Sequence, residues 1–237
     1  MRRILRARAQ TSARAKARAP PTRLPPPAPA RGAERLRDTR DIPPTTPDPI
    51  TWLREDRARA QTARDPCAGL CTVATVDAEG HPQARTLVLR DVNGRLAVFL
   101  NRTSPKWIEF DQAPSVAVVV WLPVLNLQYR LRCRIEPVPD ALVAASWQLR
   151  PSAPKRLDWL YTATLAQGSV VRDRAHLLEA LESVPLPDPL VAPPTAAGLY
   201  LDAFTVDRLD LAQPDGVHDR RHFERREGDW HERIRVP

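Results

Sequence analysis

The chain has 237 residues, of which 43% are hydrophobic and 27% charged, and these values exclude a wholly disordered, collagen-like or membrane protein. The net charge of +8 comes from the start of the chain, where residues 1–47 hold 12 Lys or Arg and three acids. The other residues hold 24 basic and 25 acidic side chains. Because this larger part is nearly neutral, a nucleic-acid-binding function for the whole protein loses its main support.

Residues 1–47 are rich in Arg and Ala, contain nine prolines and show no sustained apolar periodicity. Such a segment buries too little apolar surface to offset the entropy that ordering its backbone costs. The sequence therefore predicts a disordered extension over residues 1–47 and one folded domain over residues 48–237. An arm that binds nucleic acid or an anionic membrane is the alternative function for the extension.

The chain has three cysteines, Cys67, Cys71 and Cys133, and no secretory signal, which favours a reducing cytoplasm and small core residues over a disulfide framework. The cysteines and histidines lack the close spacing of a zinc site, so no metal is expected.

The most apolar run, residues 116–125, has about half the length that a bilayer requires. It predicts a buried strand, and neither a membrane nor a nucleic acid is an expected partner of the folded domain.

The predicted elements begin with a helix over residues 48–64, with Trp52 and Leu53 on its apolar side. Four strands follow, at residues 69–77, 83–91, 95–100 and 115–122. Turn sequences at residues 77–80 and 91–94 join the first three strands into a meander.

A short helix between the third and fourth strands is predicted over residues 105–112, with Ser104 as its cap and Pro105 at its first position. The next segment, residues 127–135, alternates strictly between apolar and polar residues, which is typical of a half-buried strand. The remaining elements are helices near residues 140–149, 155–165 and 173–184, and strands near residues 198–204, 206–212, 219–226 and 229–236.

This order of elements predicts a mainly β protein of the α+β class, an antiparallel barrel with peripheral helices. A doubly wound parallel sheet would need a regular alternation of strands and helices, which the sequence lacks. The chain also lacks a G-x-G-x-x-G motif and a phosphate loop of the Walker type. Side chains must therefore hold the phosphate of any phosphorylated cofactor.

Cations and hydroxyl groups stand close together in two predicted elements. Arg85 and Arg90 lie at the two ends of one strand segment, with Thr86 beside the first. Ser104 and Lys106 lie at the start of the short helix that follows. Such groups near a helix N-terminus suit a phosphate dianion. Solvated charges at a sheet edge are the alternative interpretation, and spacing alone does not decide between the two.

The segment ARTLVLR at residues 84–90 resembles the A-R-[TM]-V-L-L-K strand of the pyridoxamine 5′-phosphate oxidase family. Further segments are similar to motifs of that family and occur in the same order: VFLN at 98–101, SPK at 104–106, NLQYR at 126–130, LRP at 149–151, AQG at 166–168, VHDR at 217–220 and the chain end at 226–237. The resemblance extends over residues 48–237. It implies an antiparallel split β-barrel that binds FMN at the interface of a homodimer.

The resemblance also implies the roles of individual residues. FMN contacts carry over onto Arg85, Thr86, Leu87, Val88, Leu89, Arg90, Lys106, Gln128, Gln167 and Arg220. Substrate contacts carry over onto Arg90, Arg150 and His218, and the last two are the implied catalytic residues: Arg150 clamps the substrate phosphate and His218 positions the pyridine ring. Cations near the flavin favour its reduction, because the reduced ring carries negative charge.

The implied reaction is the oxidation of pyridoxamine or pyridoxine 5′-phosphate to pyridoxal 5′-phosphate, with dioxygen as the electron acceptor and hydrogen peroxide as the second product. The chain departs from the family pattern at two FMN positions, Pro105 and Gly168, and at three substrate positions, Ser146, Pro154 and Gly216. One lost charge-assisted phosphate contact costs about 1.5–3 kcal/mol. A flavoenzyme with a different substrate, or a non-catalytic module that binds flavin or pyridoxal phosphate, are therefore alternatives.

Overall fold

The computed structural model describes residues 48–112 and 115–237, so the extension predicted over residues 1–47 lies outside the described residues. Within those two ranges, nine strands form one mostly antiparallel sheet that curls into a half-barrel, and five α-helices accompany it. The predicted fold class, a mainly β antiparallel split barrel with peripheral helices, is confirmed. None of the helices in the described ranges is long and apolar enough to cross a membrane.

The elements lie close to the predicted positions. The helices are α1 (Pro49–Thr62), α2 (Pro105–Gln112), α3 (Asp140–Gln148), α4 (Ser152–Ala163) and α5 (Arg174–Ser183). The strands are β1 (Leu70–Val76), β2 (Pro82–Val88), β3 (Arg90–Val92), β4 (Arg95–Asn101), β5 (Val116–Leu122), β6 (Leu127–Pro137), β7 (Ala196–Asp210), β8 (Asp219–Arg226) and β9 (Asp229–Arg235).

The predicted strand over residues 83–91 is two strands, so the predicted three-strand meander is interrupted at Leu89. The strand order is β2-β1-β5-β6-β7-β4-β3, with β8 and β9 added beside β7. The two turn sequences do form the hairpins β1–β2 and β3–β4, but these hairpins lie at opposite ends of the order. A single residue, Leu89, separates β2 from β3, so the two ends of the sheet must lie side by side. The curled sheet therefore closes at Leu89, a tertiary feature that local pattern does not reveal.

The two strands predicted over residues 198–204 and 206–212 are one strand, β7. Its pairing with β6 shifts in register, because Arg132 lies opposite Thr205 whereas Cys133 lies opposite Ala203. Phe204 is left as the extra residue of a β-bulge. The bulge interrupts the alternation of apolar residues without ending the strand, which is why the sequence pattern suggested two strands.

The barrel interior is a continuous apolar core to which the inward faces of most strands contribute. Its fully buried members include Val73, Val98, Val118, Val120, Leu131, Val206 and Phe223. Helix α1 covers this core with Leu53, and Trp52 packs edge-to-face on Phe223 at 5.7 Å between ring centroids. Cys71 and Cys133 are free, buried thiols, and burial raises the pKa of Cys71 to about 12. These two cysteines are core residues, as predicted.

Candidate functional site

A cavity of about 440 Å³ lies between the β2–β4 side of the barrel, the start of α2 and the helices α3 and α4. This volume is typical of a small-molecule site. Its polar lining comes from six segments that are distant in sequence: Thr86, Arg90, Asn101, Lys106, Ser146, Arg150, Asp158, Tyr161 and Gln167. Its apolar lining includes Leu87, Val88, Phe99, Trp147, Pro154 and Leu157. The fold thus gathers seven of the predicted site residues, from β2 to the loop after α4, around one space.

Lys106 lies in the first turn of α2, which begins at Pro105, a residue that suits the first helical position because it has no N–H to leave unpaired. The Lys106 ammonium donates to Ser104 Oγ at 2.5 Å and to Gln167 Oε1 at 3.3 Å. Burial lowers the pKa of Lys106, and the charge of Arg85 adds to that effect. A partly buried ammonium whose hydrogen-bond partners are neutral can bind an anion. This contact brings together two predicted FMN residues, Lys106 and Gln167.

Hydrogen bonds fix the loop that carries Gln167. Its backbone N–H donates to Thr103 Oγ1 at 3.1 Å, and the Thr103 hydroxyl donates to Asn101 Oδ1 at 2.8 Å. Asn101 is buried and its amide donates to Thr195 Oγ1 at 2.9 Å. The sequence analysis assigned no role to Asn101 or Thr195, although Asn101 lies in one of the segments that carry the family resemblance.

The predicted FMN strand contributes only part of its side chains to the cavity. Thr86, Leu87 and Val88 line it from β2, the end strand of the sheet, where Val88 is 52% exposed. Arg85 instead forms an ion pair with the buried carboxylate of Glu109 and donates to Thr75 Oγ1 at 2.6 Å.

Leu89 is also absent from the cavity lining, because its side chain lies in the core. Of the six residues from 85 to 90 that were predicted to contact FMN, Arg85 and Leu89 are thus the two that do not line this cavity.

Arg150 lies between α3 and α4 and lines the cavity, as expected of a residue that binds substrate. One of its guanidinium nitrogens, Nη1, lies 2.8 Å from Asp158 Oδ2, which also accepts a hydrogen bond from Trp147 Nε1 at 2.8 Å. Burial raises the pKa of Asp158, while the Arg150 charge and the Trp147 N–H act in the opposite direction. The charge of Arg150 is therefore balanced by a carboxylate that the sequence analysis missed.

Two positions at which the chain departs from the family pattern, Ser146 and Pro154, also line the cavity. A third, Gly216, lies in the loop before β8 with φ of +76°, a left-handed conformation that glycine adopts without strain. Gly168 has φ of +94°, and a Cβ added there would lie 3.2 Å from Pro105 Cδ. The two departures at predicted FMN positions, Pro105 and Gly168, are thus in contact with each other.

Gln128, His218 and Arg220 do not line this cavity. Gln128 on β6 lies opposite Leu209 of β7, which lies opposite Arg220 of β8, so Gln128 and Arg220 belong to one face of the sheet. Arg220 Nε lies 3.5 Å from Asp207 Oδ1, and His218 is exposed in the loop before β8. Gln128 and Arg220 therefore lie on a face formed by β6, β7 and β8, separate from the cavity.

A second cavity, of about 420 Å³, lies between α1 and the sheet. Its three arginines are already paired: Arg59 and Arg208 with Asp56, and Arg221 with Asp219. The buried Asp56 carboxylate also accepts a hydrogen bond from Tyr129 Oη at 2.5 Å. Because its arginines are paired and none of the predicted residues lines it, this cavity is the weaker candidate.

The chain was also compared with known proteins. A sequence profile described as "Pyridoxamine 5′-phosphate oxidase" matches residues 59–184. A protein of Anaeromyxobacter dehalogenans (strain 2CP-C), named pyridoxine/pyridoxamine 5′-phosphate oxidase, is 31% identical over 195 residues, which cover 80% of this chain and 96% of that protein. A protein of the same name from Myxococcus xanthus (strain DK1622) is 32% identical over 199 residues, with 81% and 92% covered.

Two solved structures have a similar fold. One is PhzG from Burkholderia lata 383 in complex with tetrahydrophenazine-1-carboxylic acid, with a TM-score of 0.67, 23% identity, and 83% of this chain and 95% of that chain covered. The other is a pyridoxamine 5′-phosphate oxidase-related, FMN-binding protein from Nostoc punctiforme PCC 73102, with a TM-score of 0.66, 20% identity, and 81% and 100% covered. At these identities the likeness is one of fold.

Proposed function

The chain belongs to the pyridoxamine 5′-phosphate oxidase family, and from that premise we propose that it is an FMN-dependent oxidoreductase acting on a small ring compound. One observation carries the proposal: Lys106, Gln167 and the exposed end of β2 converge on a single cavity with Arg90 and Arg150. Family membership supports FMN as the cofactor, and the side chains that line the cavity can be compared with the phosphate and the ring of FMN.

The residues present fit FMN. The Lys106 ammonium, next to the Ser104 hydroxyl and the Gln167 amide, suits a phosphate dianion. Leu87 and Val88 offer apolar contact to a ring, and β2 offers backbone groups at the end of the sheet. When bound, FMN supplies a ring that accepts a hydride from a substrate carbon and passes the electrons to dioxygen, which leaves as hydrogen peroxide. The residues of this chain bind and orient both molecules and exclude water from the space between them.

We further propose that the site is completed by a second copy of the chain. Gln128, His218 and Arg220 carry the same family resemblance as the cavity residues, yet Gln128 and Arg220 lie on the β6–β8 face and His218 lies in the loop before β8. In a homodimer with flavin at the interface, this face of one subunit would meet the cavity of its partner. Arg220 would then donate to the flavin, and His218 would position the substrate ring.

The proposed substrates are amines or alcohols of the pyridoxamine and pyridoxine type. The names of the relatives suggest the 5′-phosphate esters, whose oxidation gives pyridoxal 5′-phosphate and hydrogen peroxide. Arg90 supports a substrate with anionic character, because it carries a positive charge and lines the cavity. Pro154, which offers no side-chain donor, supports a second candidate: the same chemistry on a different substrate.

The test uses the purified full-length protein loaded with FMN. We expect retention of a yellow flavin, tight rebinding after its removal, and loss of flavin absorbance when pyridoxamine 5′-phosphate or pyridoxamine is added without oxygen. Riboflavin, which lacks the phosphate, serves as the matched ligand control. A protein that binds no FMN would contradict the proposal, and one that binds FMN while no amine or alcohol reduces it would be a non-catalytic flavin module.

A further inference from the structure

One wall of the cavity is a face of helix α4. Pro154, Leu157, Asp158 and Tyr161 all line the cavity, and their spacing of three or four residues places them on one side of the helix. The single charged member of this face is Asp158, an acid. The cations of α4 are bound elsewhere, since Lys155 donates to Gln148 O at 2.9 Å and Arg156 donates to two backbone carbonyls of α5 at 2.7 Å.

Asp158 opposes Arg150, the residue that the family resemblance assigns to a substrate phosphate. The Arg150 side chain is 31% exposed and the Asp158 side chain 7%, so the pair forms part of the cavity wall and is not enclosed in the core. Trp147 Nε1 holds the Asp158 carboxylate at 2.8 Å, which keeps it directed toward Arg150. One nitrogen of the guanidinium is thus engaged, and its positive charge is compensated within the wall.

A phosphate dianion would therefore meet an unfavourable environment at Arg150. At Nη1 it would have to displace Asp158 and leave a buried carboxylate unpaired, and at the other guanidinium nitrogens it would lie beside Asp158 and be repelled. An uncharged group could fit against Pro154, Leu157 and Tyr161 with the ion pair intact. Burial has already removed water from the Asp158 carboxylate, so that carboxylate depends on Arg150 as its partner. Binding of an uncharged group, which leaves the ion pair intact, therefore has a lower free energy than binding of a phosphate.

We propose that Asp158 is a specificity-determining residue that disfavours a substrate phosphate at the Arg150 end of the cavity. The substrate is accordingly a small ring-containing amine or alcohol whose group near Arg150 carries no phosphate. This inference rests on the proposed function, because it concerns the same cavity, and it selects the unphosphorylated members of the proposed substrate class.

The test compares pyridoxal with pyridoxal 5′-phosphate, two ligands that differ only in the phosphate. Their dissociation constants are measured on the FMN-loaded protein from the change in flavin absorbance. Asp158→Asn removes the charge but keeps an oxygen that can accept from Trp147 Nε1. We expect the unmodified protein to bind pyridoxal at least as tightly as its phosphate. In Asp158→Asn, affinity for the phosphate should rise about tenfold or more, while affinity for pyridoxal changes little.

Two further variants identify the cause of any gain in affinity for pyridoxal 5′-phosphate. Glu179→Gln, on the exposed surface of α5, makes the same change of charge away from the cavity and should leave both affinities unchanged. In the double variant Arg150→Met with Asp158→Asn, the gain should disappear, because the freed guanidinium is its source. Persistence of the gain there, or the same gain in Glu179→Gln, overturns the inference.

The remaining outcomes separate this inference from the proposed function. A flavin-loaded, unmodified protein that prefers pyridoxal 5′-phosphate about tenfold, or an Asp158→Asn protein with unchanged affinity for it, overturns the inference alone. A protein that takes up no FMN, which is measured before any pyridoxal is added, overturns the proposed function and this inference with it.

Discussion

The two ends of the cavity contain cations in opposite surroundings. At the start of α2, the Lys106 ammonium contacts a hydroxyl and an amide oxygen, and no carboxylate in the described part of the chain forms an ion pair with it. At the start of α4, the Arg150 guanidinium lies 2.8 Å from a buried carboxylate. Both residues match family motifs, yet among the described residues only Arg150 has a carboxylate partner. A motif residue thus indicates which chemistry is available, and its neighbours decide whether that chemistry is used.

The largest expected effect is at the Lys106 end. Lys106→Met should lower FMN affinity at least tenfold, because a charge-assisted hydrogen bond to phosphate contributes about 1.5–3 kcal/mol. Fluorescence titration of the flavin-free protein measures this. Lys155→Met is the matched control, since the Lys155 ammonium binds the Gln148 carbonyl on the surface. Equal loss in both variants, or no loss in Lys106→Met, would show that Lys106 does not hold the phosphate.

The pH dependence of FMN binding should also identify Lys106. Its pKa in the flavin-free protein is lowered, so the ammonium loses its proton at a lower pH than an ordinary lysine does. FMN affinity should therefore be full below that pKa and fall as the pH rises through it. Titrations at increasing pH measure the decline, which should be absent in Lys106→Met. A decline of the same size in that variant would assign it to another group.

At the Arg150 end of the cavity, removal of the Asp158 side chain should lower the stability of the protein. In Asp158→Ala, Arg150 and Trp147 Nε1 both lose their partner, and we expect a loss of about 1–3 kcal/mol in the free energy of unfolding. Asp158→Asn should lose less, because its amide oxygen can still accept from Trp147. Urea denaturation measures both. Equal stability of the two variants would mean that the Trp147 hydrogen bond contributes nothing.

A smaller loss of stability is expected when the contact between Gly168 and Pro105 is changed. Gly168→Ala introduces a Cβ at φ of +94° and 3.2 Å from the Pro105 ring, which should lower the free energy of unfolding by about 1–2 kcal/mol. Gly80→Ala is a useful comparison, because φ there is +85° and no atom lies within 4 Å of the added Cβ. A greater loss in Gly168→Ala would measure the steric contact separately from the backbone strain.

The smallest effect is expected for removal of residues 1–47. At physiological ionic strength, the charges of the extension are screened beyond about 8 Å, so FMN affinity should change by less than about twofold. Titration of the shortened and full-length proteins in the same buffer tests this. A larger change would assign the extension a part in the site, contrary to the proposed division into an extension and one domain.

Much of the fold could be predicted from local pattern. The strict alternation in β6 and the turn sequences of the β1–β2 and β3–β4 hairpins are properties of short segments, and the structure agrees with them. The break at Leu89 and the bulge at Phe204 could not be predicted, because both depend on how distant strands pair. Local sequence fixes the type of an element, whereas closure of the sheet is set by long-range contacts.

The candidate site was predictable to a similar extent. The family resemblance identified Lys106, Gln167 and Arg150, and the fold brings these three to one cavity. It did not identify Asp158, because the approach of an α4 side chain to Arg150 depends on how the helix packs. It also did not identify Glu109, which lies 24 residues after Arg85 and binds its guanidinium. Ion pairs between distant segments are what the sequence leaves open.

The single residue between β2 and β3 also links the cavity to the integrity of the barrel. Thr86 and Arg90, which line the same cavity, lie on either side of Leu89 and belong to hairpins at opposite margins of the sheet. Any opening of the barrel along this seam would move them apart. A ligand that contacts both margins would oppose such opening, and slower amide hydrogen exchange in both hairpins would be its signature.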